Sequence, residues 1–411
     1  MERRKVLVTA YAVNPYNGSE DATGWNIPFQ LAEKNEVTVI TRKNNRPEIE
    51  RFYAENKNEE QLDKLRFEYF DLPPWLIFWK KKIGERGYVL YFYLWQLFIP
   101  FFIKRSKLKF DIVHSLNFHS DSHPQFLWLL GKPVFWGPIG HHSTVPKQFI
   151  RRHYSRKSLI KDRVYNAVKF IMRTFSPFYY LSKWSAKKIF VINSKINDAV
   201  RAKKSKIIIL PAVACDQMTA FIKPQDVFNI VSVGRFTFMK GFDLIIEAFA
   251  LFVNDLPHEQ KPKVKMTLIG KGEERNTLNS LIIKLKLENH IEIIDWVERK
   301  KMNQFYKKAS IFAFGSHEGA GMVVTEALSY GLPIVCFDNE GPGELCTHSN
   351  AMKIKVKSYG ESAKAFSEAY LKLFEDKNLR LSMSKCARKI ANERYNWKYK
   401  SKVINKAYDS L

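Results

Sequence analysis

The stretch Glu318-Gly-Ala-Gly-Met-Val-Val-Thr-Glu326 places one carboxylate before a glycine-containing loop and a second carboxylate one helical turn beyond that loop. Gly331 and Pro333 follow shortly afterwards, and both residue types end helices. The pattern therefore predicts a helix over residues 322–330. The apolar run at 334–337 predicts a buried strand directly after it.

The start of this helix is suited to a phosphorylated ligand. The first backbone N–H groups of a helix, here those of Met322 and Val323, lie at its positive end without partners inside the helix. Glu326 lies roughly 6 Å further along the axis on the same face. A carboxylate there would accept hydrogen bonds from ribose hydroxyls, and Glu318 would face groups beyond the phosphates. The alternative is an ordinary amphipathic helix behind a loop, with both glutamates only solvated.

This stretch resembles the E-x7-E signature of the retaining glycosyltransferases of family 4. Other segments resemble further elements of that family, and they occur in the family's order over nearly the whole chain. They are a strand and phosphate loop at 233–236 and 240–249, the next strand and loop at 268–274, a first-strand loop at 11–20 and a strand end at 137–140. The resemblance implies an α/β protein of the GT-B fold, in which two Rossmann-like doubly wound domains face a cleft.

Short apolar segments alternate with helical patterns in both halves of the chain, which predicts parallel sheets covered by helices. Residues 211–226 contain Pro and small residues without a long period, so we interpret them as the interdomain linker. We predict an acceptor-binding domain over residues 1–212 and a nucleotide-sugar-binding domain over 213–395. By resemblance, a helix at 396–411 crosses back to the first domain. Strands are predicted at 6–10, 37–41, 112–114, 134–136, 189–193, 207–210, 228–233, 265–269, 291–295 and 311–314.

Two cations follow the predicted strand at 228–233. Arg235 and Lys240, flanked by Gly234 and Gly241, lie at the carboxyl end of this strand, where open α/β sheets bind ligands. The diphosphate of a sugar nucleotide gains negative charge as the glycosidic bond breaks, so cations beside it favour its departure. The spacing resembles the family's Arg-x4-Lys diphosphate pair. The alternative is that both are surface cations in a basic chain.

The resemblance also assigns roles within the opening stretch. Glu318 would hydrogen-bond the donor sugar, and Glu326 would hold the ribose. The family usually has an aromatic residue where Ala320 stands, so the donor stays open between a UDP-sugar and a GDP-sugar. The backbone that would contact the donor lies at Gly319, Ala320, Gly321, Met322 and Val323.

In the first domain, Gly18 lies in the loop after the first strand, where backbone would approach the phosphates closely. Glu20 and Asp21 are candidate ligands of acceptor hydroxyls or ordinary solvated loop acids. Many family members have a catalytic histidine at the end of a first-domain strand. His141 and His114 are the two candidates for that role, and we favour His141.

A metal site is the alternative interpretation of the histidines in this region. The spacing of His114, His119, Asp121 and His123 permits metal binding. The resemblance implies instead that the leaving group is neutralised without a metal, and Arg235 already provides positive charge with Lys240. We therefore expect no metal and no cofactor other than the sugar-nucleotide substrate.

The chain is strongly basic, with a formal net charge of +26. Seventeen Lys and Arg lie between Lys147 and Lys206, against only Asp162 and Asp198, and aromatic residues are interleaved with them. Such a surface suits anionic lipid headgroups or nucleic acid. No recognisable nucleic-acid-binding module accompanies the charge, so we expect an anionic membrane surface and no nucleic acid. A solvated face that aids solubility is the alternative.

Two apolar segments bear on the membrane question. Residues 75–82, Trp-Leu-Ile-Phe-Trp-Lys-Lys-Lys, run from aromatic to cationic, the order found at membrane interfaces. Residues 87–103 are uncharged but shorter than the ~20 apolar residues of a membrane span, so we predict a core helix. The first strand is too short for a signal-peptide core, and the four cysteines are scattered. We expect a cytoplasmic protein at the inner face of the cell membrane.

These observations favour a hexosyltransferase-type enzyme that retains anomeric configuration. It would move a sugar from a nucleotide-diphosphate sugar to a lipid-linked or surface-polysaccharide acceptor. A sugar-nucleotide 2-epimerase of the same fold is the alternative, and a nucleic-acid-binding protein is a remote one. An α-glucan phosphorylase is disfavoured because the chain is about half the expected length and lacks the pyridoxal-binding lysine motif.

Overall fold

The computed structural model describes residues 3–118, 120–141, 143–151, 154, 156–212, 214–215, 226–295 and 297–411, without the side chains of residues 83, 85, 86, 299 and 300. Within these ranges the chain forms two compact units. The first unit comprises Met1–His141, Val164–Val213 and Trp397–Leu411. The second comprises His142–Arg163 and Ala214–Asn396.

Each unit contains one parallel sheet. In the first unit the strands are β1 (Lys5–Thr9), β2 (Glu36–Thr41), β3 (Leu65–Tyr69), β4 (Ile112–Ser115), β5 (Val134–Ile139), β6 (Ala186–Val191) and β7 (Ile207–Ile209). In the second they are β8 (Phe228–Val233), β9 (Val264–Ile269), β10 (Ile291–Ile294), β11 (Ile311–Phe314), β12 (Ile334–Phe337) and β13 (Ala351–Ile354). The described residues also form fifteen α-helices.

The helices of the first half of the chain are α1 (Ser19–Leu31), α2 (Arg46–Glu55), α3 (Pro74–Ile83), α4 (Glu85–Arg105), α5 (Arg156–Phe175), α6 (Pro177–Ser185) and α7 (Ile196–Val200). Those of the second half are α8 (Phe242–Asp255), α9 (Arg275–Lys284), α10 (Arg299–Lys308), α11 (Met322–Ser329), α12 (Pro342–Leu345), α13 (Tyr359–Glu375), α14 (Lys377–Arg394) and α15 (Trp397–Tyr408).

The first sheet has the strand order β3-β2-β1-β4-β5-β6-β7. Its central strands are mostly apolar and almost entirely buried, as expected of a parallel sheet covered by helices. Val6 of β1 lies opposite Val37 of β2 on one side and Ile112 of β4 on the other. The strand order reverses between β1 and β4, and ligands bind at such a reversal in open α/β sheets.

Helix α4 contains the long apolar segment noted in the sequence. Within the described residues, Gly87–Arg105 is the helical segment that is long and apolar enough to cross a bilayer by length and composition. Tyr91, Trp95 and Ile99 of this helix are buried in the core of the first unit. Core helices of proteins that do not span a membrane meet the same criteria. The burial of these three side chains agrees with the predicted core helix.

The C-terminal helix α15 belongs to the first unit and packs against α1. Its last residue, Tyr408, is fully buried and contacts Phe135 of β5 edge to face. Ile404, one turn earlier, is also buried. The last turns of the chain therefore complete the hydrophobic core of the first unit.

The second sheet has the order β10-β9-β8-β11-β12-β13, so its strand order reverses between β8 and β11. Helix α8 is buried along most of its length and packs against α13. Helix α11 packs against α14. The predicted strands at 228–233, 311–314 and 334–337 coincide with β8, β11 and β12.

Part of the segment His142–Arg163 is fastened to the second unit by polar contacts. The hydroxyl of Tyr154 donates to Oδ2 of the buried Asp243, 2.7 Å away, and Tyr359 donates to the same oxygen at 3.2 Å. Arg151 pairs with Glu247 at 3.2 Å and lies over the ring of Tyr359. A segment from the first half of the sequence thus becomes part of the second unit.

Candidate functional site

The loops after β8 and β11 meet at the strand reversal of the second sheet. Gly241 precedes α8 with φ +62°, and Gly315 follows β11. A Cβ atom on Gly241 would lie 2.2 Å from the carbonyl oxygen of Gly315, and one on Gly315 would lie 2.8 Å from that of Gly241. Only two residues without side chains allow this approach. The approach brings the Lys240 loop beside the Glu318 loop.

Lys240 and Glu318 form an ion pair at this point. The Nζ atom of Lys240 lies 2.6 Å from Oε1 of Glu318, and the two side chains are only 12% and 13% exposed. Lys240 also lies over the ring of Phe314, 5.2 Å from its centroid. The backbone of the Glu318 loop is held by a bond from Glu318 N to Ser316 Oγ at 3.2 Å. A cation and a carboxylate in such a sheltered position interact more strongly than they would on the surface.

Arg235 and Gly234 occupy the same loop but differ from Lys240 in their surroundings. The side chain of Arg235 is exposed. Gly234 donates its N–H to the carbonyl of Ile269 at 3.0 Å, and a Cβ on Gly270 would lie 1.8 Å from the carbonyl oxygen of Gly234. The loops after β8 and β9 are therefore closely packed, with Arg235 on their solvent side.

Helix α11 begins where the sequence predicts and ends at Ser329, one residue before the predicted end. Gly321 is its N-cap, and its carbonyl accepts the N–H groups of Val324 and Thr325. The turn of Gly319 and Ala320 connects Glu318 to this helix. A Cβ on Gly341 would lie 1.9 Å from the carbonyl oxygen of Glu318, so the loop after β12 packs directly under the turn. The amides of Met322 and Val323 lie in the first turn of an eight-residue helix.

Glu326 lies one turn inside α11 and is half-buried. Its Oε2 atom accepts a hydrogen bond from the hydroxyl of Tyr306 at 3.1 Å. Tyr306 is buried and stacks on Tyr330, with ring centroids 5.0 Å apart. The Glu326 carboxylate is thus held on one side by the hydroxyl of the buried Tyr306. Its backbone lies in α11, whose N-cap is Gly321.

His317 is a residue of this site that the sequence interpretation missed. Its ring is 7% exposed, stacks on Phe337 at 4.7 Å and meets Phe149 edge to face at 4.4 Å. Burial lowers its pKa to about 4. Among the described residues, its Nε2 atom has no hydrogen-bond partner. Its position directly before Glu318 was the available signal, but the sequence does not show which rings surround it.

In the first unit, the loop after β1 is fixed by Asn117 from the loop after β4. Asn117 accepts a hydrogen bond from Tyr11 N at 3.0 Å and donates to the carbonyls of Ala12 and Glu20 at 2.7 and 2.8 Å. Gly24 of α1 lies against the same loop, because a Cβ there would be 1.9 Å from the Ala12 carbonyl oxygen. Residues at the strand reversal of the first sheet are therefore held in one arrangement.

The predicted residues of this loop lie at the start of α1. Gly18 is the N-cap of the helix. Oε2 of Glu20 accepts the N–H of Phe118 at 2.9 Å; burial raises the pKa of Glu20, and this hydrogen bond opposes the rise. Asp21 accepts a hydrogen bond from Asn17 at 3.0 Å. Glu20 thus holds the backbone of the loop after β4 at Phe118, and it is also a candidate ligand of acceptor hydroxyls.

His114 does not have the geometry expected of a catalytic histidine. Its ring is fully buried, with Nδ1 2.6 Å from the hydroxyl of Tyr408 and Nε2 2.7 Å from the carbonyl oxygen of Gly137. Burial lowers its pKa to about 4, although the Gly137 hydrogen bond acts in the opposite direction. Both ring nitrogens are engaged by protein groups, so the geometry favours a packing role for His114.

His141 is the candidate that the structure places beside charged groups. Its Nδ1 atom lies 2.8 Å from Oδ2 of Asp121, and its side chain is 14% exposed. Asp121 is fully buried and also pairs with Lys169, 2.8 Å from Oδ1, and with Arg173. The sequence suggested Asp121 only as a metal ligand, because Lys169 and Arg173 lie about fifty residues further along the chain.

The alternative metal site suggested by the sequence lies in the same part of the first unit, at His114, His119, Asp121 and His123. His119 lies outside the described residues. His123 bonds to Ser120 through Nδ1 at 2.5 Å, and burial lowers its pKa to about 4. Within the described ranges, no three His, Cys, Asp or Glu side chains are grouped as a metal site would need.

Parts of this chain are similar in sequence to known glycosyltransferases. Residues 216–390 match the family model described as glycosyl transferases group 1. The amylovoran biosynthesis glycosyltransferase AmsD of Erwinia amylovora is 32% identical over 119 residues, which are 28% of this chain and 31% of that protein. The lipopolysaccharide core biosynthesis glycosyltransferase LpsE of Rhizobium meliloti is 28% identical over 163 residues, 39% of this chain and 44% of that protein. The chain thus spans less than half the length of these curated relatives.

Among solved structures, HepE of Anabaena in complex with UDP and glucose is similar over 100% of both chains, with a TM-score of 0.60 and 16% sequence identity. At this identity the likeness shows the fold alone. It confirms the predicted GT-B fold of two Rossmann-like units. The family match covers β8 to most of α14, and so includes Lys240, Glu318 and Glu326. Residues 216–390 are therefore similar to the group 1 glycosyltransferases, within a chain whose described residues have the GT-B fold.

Proposed function

We propose that the protein transfers a sugar from a nucleotide-diphosphate sugar with retention of anomeric configuration, as family 4 enzymes do. The observation that carries this proposal is the sheltered Lys240–Glu318 pair at the strand reversal of the second sheet. A bound diphosphate would take the place of Glu318 as the partner of Lys240. Glu318 would then accept hydrogen bonds from hydroxyls of the donor sugar.

The reaction breaks the bond between the anomeric carbon and the diphosphate oxygen and forms a bond from that carbon to an acceptor hydroxyl. Negative charge grows on the departing diphosphate, and Lys240 with the exposed Arg235 would stabilise it. The first-turn amides of α11 would contribute in the same way. In same-face attack, the departing phosphate oxygen takes the proton of the acceptor hydroxyl, so the protein need not provide a nucleophilic carboxylate. No metal is required in this scheme.

A UDP-sugar is the donor that the comparisons support, because solved structures of this fold, HepE among them, contain UDP. Glu326 would hold the ribose, since it lies one turn beyond the phosphate-binding start of α11 with its carboxylate oriented by Tyr306. A GDP-sugar is the alternative donor to be tested beside it.

The acceptor that we propose is a lipid-linked glycan or a surface-polysaccharide intermediate. The relatives AmsD and LpsE are named for amylovoran and lipopolysaccharide core biosynthesis. An enzyme for such acceptors works at a membrane surface, and we place this one at the inner face of the cell membrane.

The first unit offers an apolar and basic surface for this location. On α5, the side chains of Val164, Val168, Ile171 and Phe175 are exposed and recur at helical spacing along one face. Helix α6 continues with exposed Phe178, Leu181 and Trp184. On α3, Trp75, Phe78 and Trp79 are exposed and precede Lys81 and Lys82. Exposed apolar faces with basic residues beside them suit an anionic bilayer interface.

The reaction is tested by mixing the purified protein with UDP- and GDP-sugars and analysing the products. We expect transfer to a lipid-linked acceptor, and Lys240→Met to lower the transfer kcat roughly 10²–10³-fold, the usual effect of removing one transition-state stabiliser. Lys284→Met, at an exposed position of α9, is the matched control and retains wild-type rates. Wild-type transfer by Lys240→Met would refute the proposal. Release of an epimerised sugar without acceptor would favour the 2-epimerase.

The membrane surface is tested by co-sedimentation with phosphatidylglycerol-containing vesicles at low salt. We expect the wild type to pellet and the Val168→Glu/Ile171→Glu double variant to remain in solution. Ile283→Glu alters an equally exposed apolar residue on α9 of the second unit and is expected to pellet like the wild type. Absence of wild-type pelleting would end this part of the proposal, whatever the outcome with sugar nucleotides.

A further inference from the structure

Lys80 of α3 is a buried lysine in the first unit. In the sequence it belongs to one basic run with Lys81 and Lys82, but the structure separates it from them. Lys80 is 8% exposed, whereas Lys81 and Lys82 are exposed. Among the described residues, no carboxylate forms an ion pair with Lys80. Buried lysines are normally paired, because burial removes the hydration of the ammonium group.

Three tyrosine rings lie around the Lys80 ammonium group. Its Nζ atom is 4.5 Å from the ring centroid of Tyr91, 4.7 Å from that of Tyr88 and 5.7 Å from that of Tyr11. It also donates to the hydroxyl of Tyr11 at 3.3 Å. The faces of such rings attract a cation without neutralising its charge. Tyr88 is 45% exposed, so one side of this tyrosine cluster borders solvent.

Arg42 brings a second cation to the same cluster. Its Nε atom donates to the carbonyl oxygen of Tyr11 at 2.9 Å, and its guanidinium carbon lies 4.0 Å from the centroid of the Tyr11 ring. These two contacts fix the orientation of the guanidinium group. In the part of the chain that the structure describes, its two terminal nitrogens have no hydrogen-bond partner. Terminal nitrogens held in this way suit a contact with two oxygens of a phosphate group.

Asp71 is the acidic group of this region, and both its oxygens already accept hydrogen bonds. Oδ1 accepts the hydroxyl of Tyr91 at 2.8 Å, and Oδ2 accepts the N–H of Lys43 at 2.9 Å. Burial lowers the pKa of Lys80 to about 8, the positive charge of Arg42 acts in the same direction, and Asp71 opposes both. One carboxylate therefore faces two cations, and positive charge remains in excess.

The cluster lies at the carboxyl ends of three strands. Tyr11 follows β1, Arg42 follows β2 and Asp71 follows β3. Open α/β sheets bind ligands at this edge. None of these residues is among those that the proposed function assigns to the donor, so the cluster is open to a different ligand.

We propose that Lys80 and Arg42 bind a phosphate-ester group of the acceptor. This proposal rests on the proposed function, in which the acceptor is a lipid-linked or surface-polysaccharide intermediate, and it adds that the acceptor carries phosphate. A phosphate oxygen would give the Lys80 ammonium group an anionic partner, and other oxygens would accept hydrogen bonds from the terminal nitrogens of Arg42. An uncharged glycan offers no such compensation, so the same glycan without phosphate would bind more weakly.

Binding is measured by isothermal titration calorimetry with inorganic pyrophosphate and the full-length protein, in excess UDP that would occupy the proposed donor site. We expect the wild type to bind, and Lys80→Met and Arg42→Gln each to raise the Kd roughly tenfold or more, as for the loss of a hydrogen bond to a charged group. Lys80→Arg keeps a cation and should regain part of the affinity. Lys104→Met removes an exposed lysine of α4 and is the matched control, expected to bind like the wild type.

Transfer assays and vesicles distinguish an acceptor phosphate from a bilayer phosphate. Lys80→Met should raise the KM for a glycan joined to a short lipid through diphosphate roughly tenfold, and leave the KM for the same glycan as an alkyl glycoside unchanged. Both variants should pellet with phosphatidylglycerol-containing vesicles as the wild type does. Loss of pelleting with an unchanged KM would assign the site to the bilayer and overturn the proposal.

No binding of pyrophosphate by the wild type would also overturn it, and so would equal binding by the wild type, Lys80→Met and Arg42→Gln. A lower free energy of unfolding with unchanged binding would show that Lys80 only joins α3 to Tyr11. If Lys80→Met does not fold, Arg42→Gln decides, because Arg42 is only half-buried. If the wild type binds pyrophosphate through these residues but transfers no sugar, the proposed function fails while the phosphate site is confirmed.

Discussion

The Nζ atom of Lys240 lies 2.6 Å from Oε1 of Glu318, although the two residues are separated by three strands in the chain. Both side chains are largely shielded from water, so each charge depends on the other for compensation. The pair is formed because β8 and β11 are neighbours in the sheet and Gly241 and Gly315 allow their loops to meet. This contact is the centre of the candidate donor site.

Removal of one member of this pair is expected to lower stability. Lys240→Met leaves the Glu318 carboxylate sheltered and uncompensated, so the free energy of unfolding should fall by about 1–3 kcal/mol. The double variant Lys240→Met/Glu318→Gln removes both charges and should regain part of that loss. Urea unfolding of the wild type, both single variants and the double variant measures the coupling. Strictly additive effects would contradict the expected interaction.

Glu326 is expected to govern nucleotide affinity. Glu326→Gln replaces the charged acceptor of the ribose hydroxyls, and hydrogen bonds to a charged group contribute about 1.5–3 kcal/mol. The Kd for UDP should therefore rise roughly tenfold or more. Isothermal titration calorimetry gives this value directly.

Tyr306→Phe is the matched control for that measurement. It keeps the Glu326 carboxylate and removes only the hydroxyl that donates to it at 3.1 Å. We expect its affinity for UDP to stay close to the wild-type value. Equal losses in both variants would show that the carboxylate's orientation, and not its charge, determines binding.

Gly241 is expected to be intolerant of a side chain. Gly241→Ala would place a methyl group 2.2 Å from the Gly315 carbonyl oxygen and force alanine to φ +62°. The conformation alone costs roughly 1–2 kcal/mol, so unfolding in urea should show a loss of at least about 2 kcal/mol. Gly360→Ala is the control, since a Cβ there meets no atom within 4 Å and alanine favours the helix. Gly360→Ala should be neutral or slightly stabilising.

Acid sensitivity is expected to arise in part from His317. Its pKa is about 4 in the folded protein because the ring is buried, against 6.5 for an exposed imidazole. Between these values the unfolded chain binds a proton that the folded protein does not, so this contribution to stability is full above pH 6.5 and falls as the pH decreases toward 4. The loss amounts to roughly 3 kcal/mol at pH 4.

His317→Phe removes this proton-binding group and suits a position between the rings of Phe149 and Phe337. Urea unfolding at pH 8 and at pH 4.5 should show a smaller difference for His317→Phe than for the wild type. Equal differences in the two proteins would contradict the contribution of His317. Chemical denaturation avoids the curvature that temperature introduces.

The fold could be predicted where strands are buried on both faces. The residues of β11 and β12 are apolar throughout and those of β8 are mostly so, and the limits of all three strands were predicted to the residue. Strand β3 was missed because Arg66 and Glu68 alternate with its apolar residues at the edge of the sheet. Strand β13, the opposite edge of the second sheet, was missed for the same reason: it contains Lys353 and is only partly buried.

The candidate site was predictable where one loop carries several functional residues. Glu318 and Glu326 lie on a single loop and helix, so their spacing in the sequence already gave their arrangement. The Lys240–Glu318 contact was not predicted, because it depends on the strand order that makes β8 and β11 neighbours. The environments of His114 and His141 could not be predicted, because they depend on Tyr408 and Lys169, which lie far away in the chain.

The hydrogen bond between Tyr408 and His114 bears on how the protein is made. A ribosome completes residues 214–396, nearly the whole second unit, before it adds the helix that holds Tyr408. Until that helix emerges, β4 and β5 lack a covering side chain and His114 lacks its hydroxyl partner. The core of the first unit, most of which is translated before the second unit, therefore cannot be completed until residues 397–408 have been synthesised.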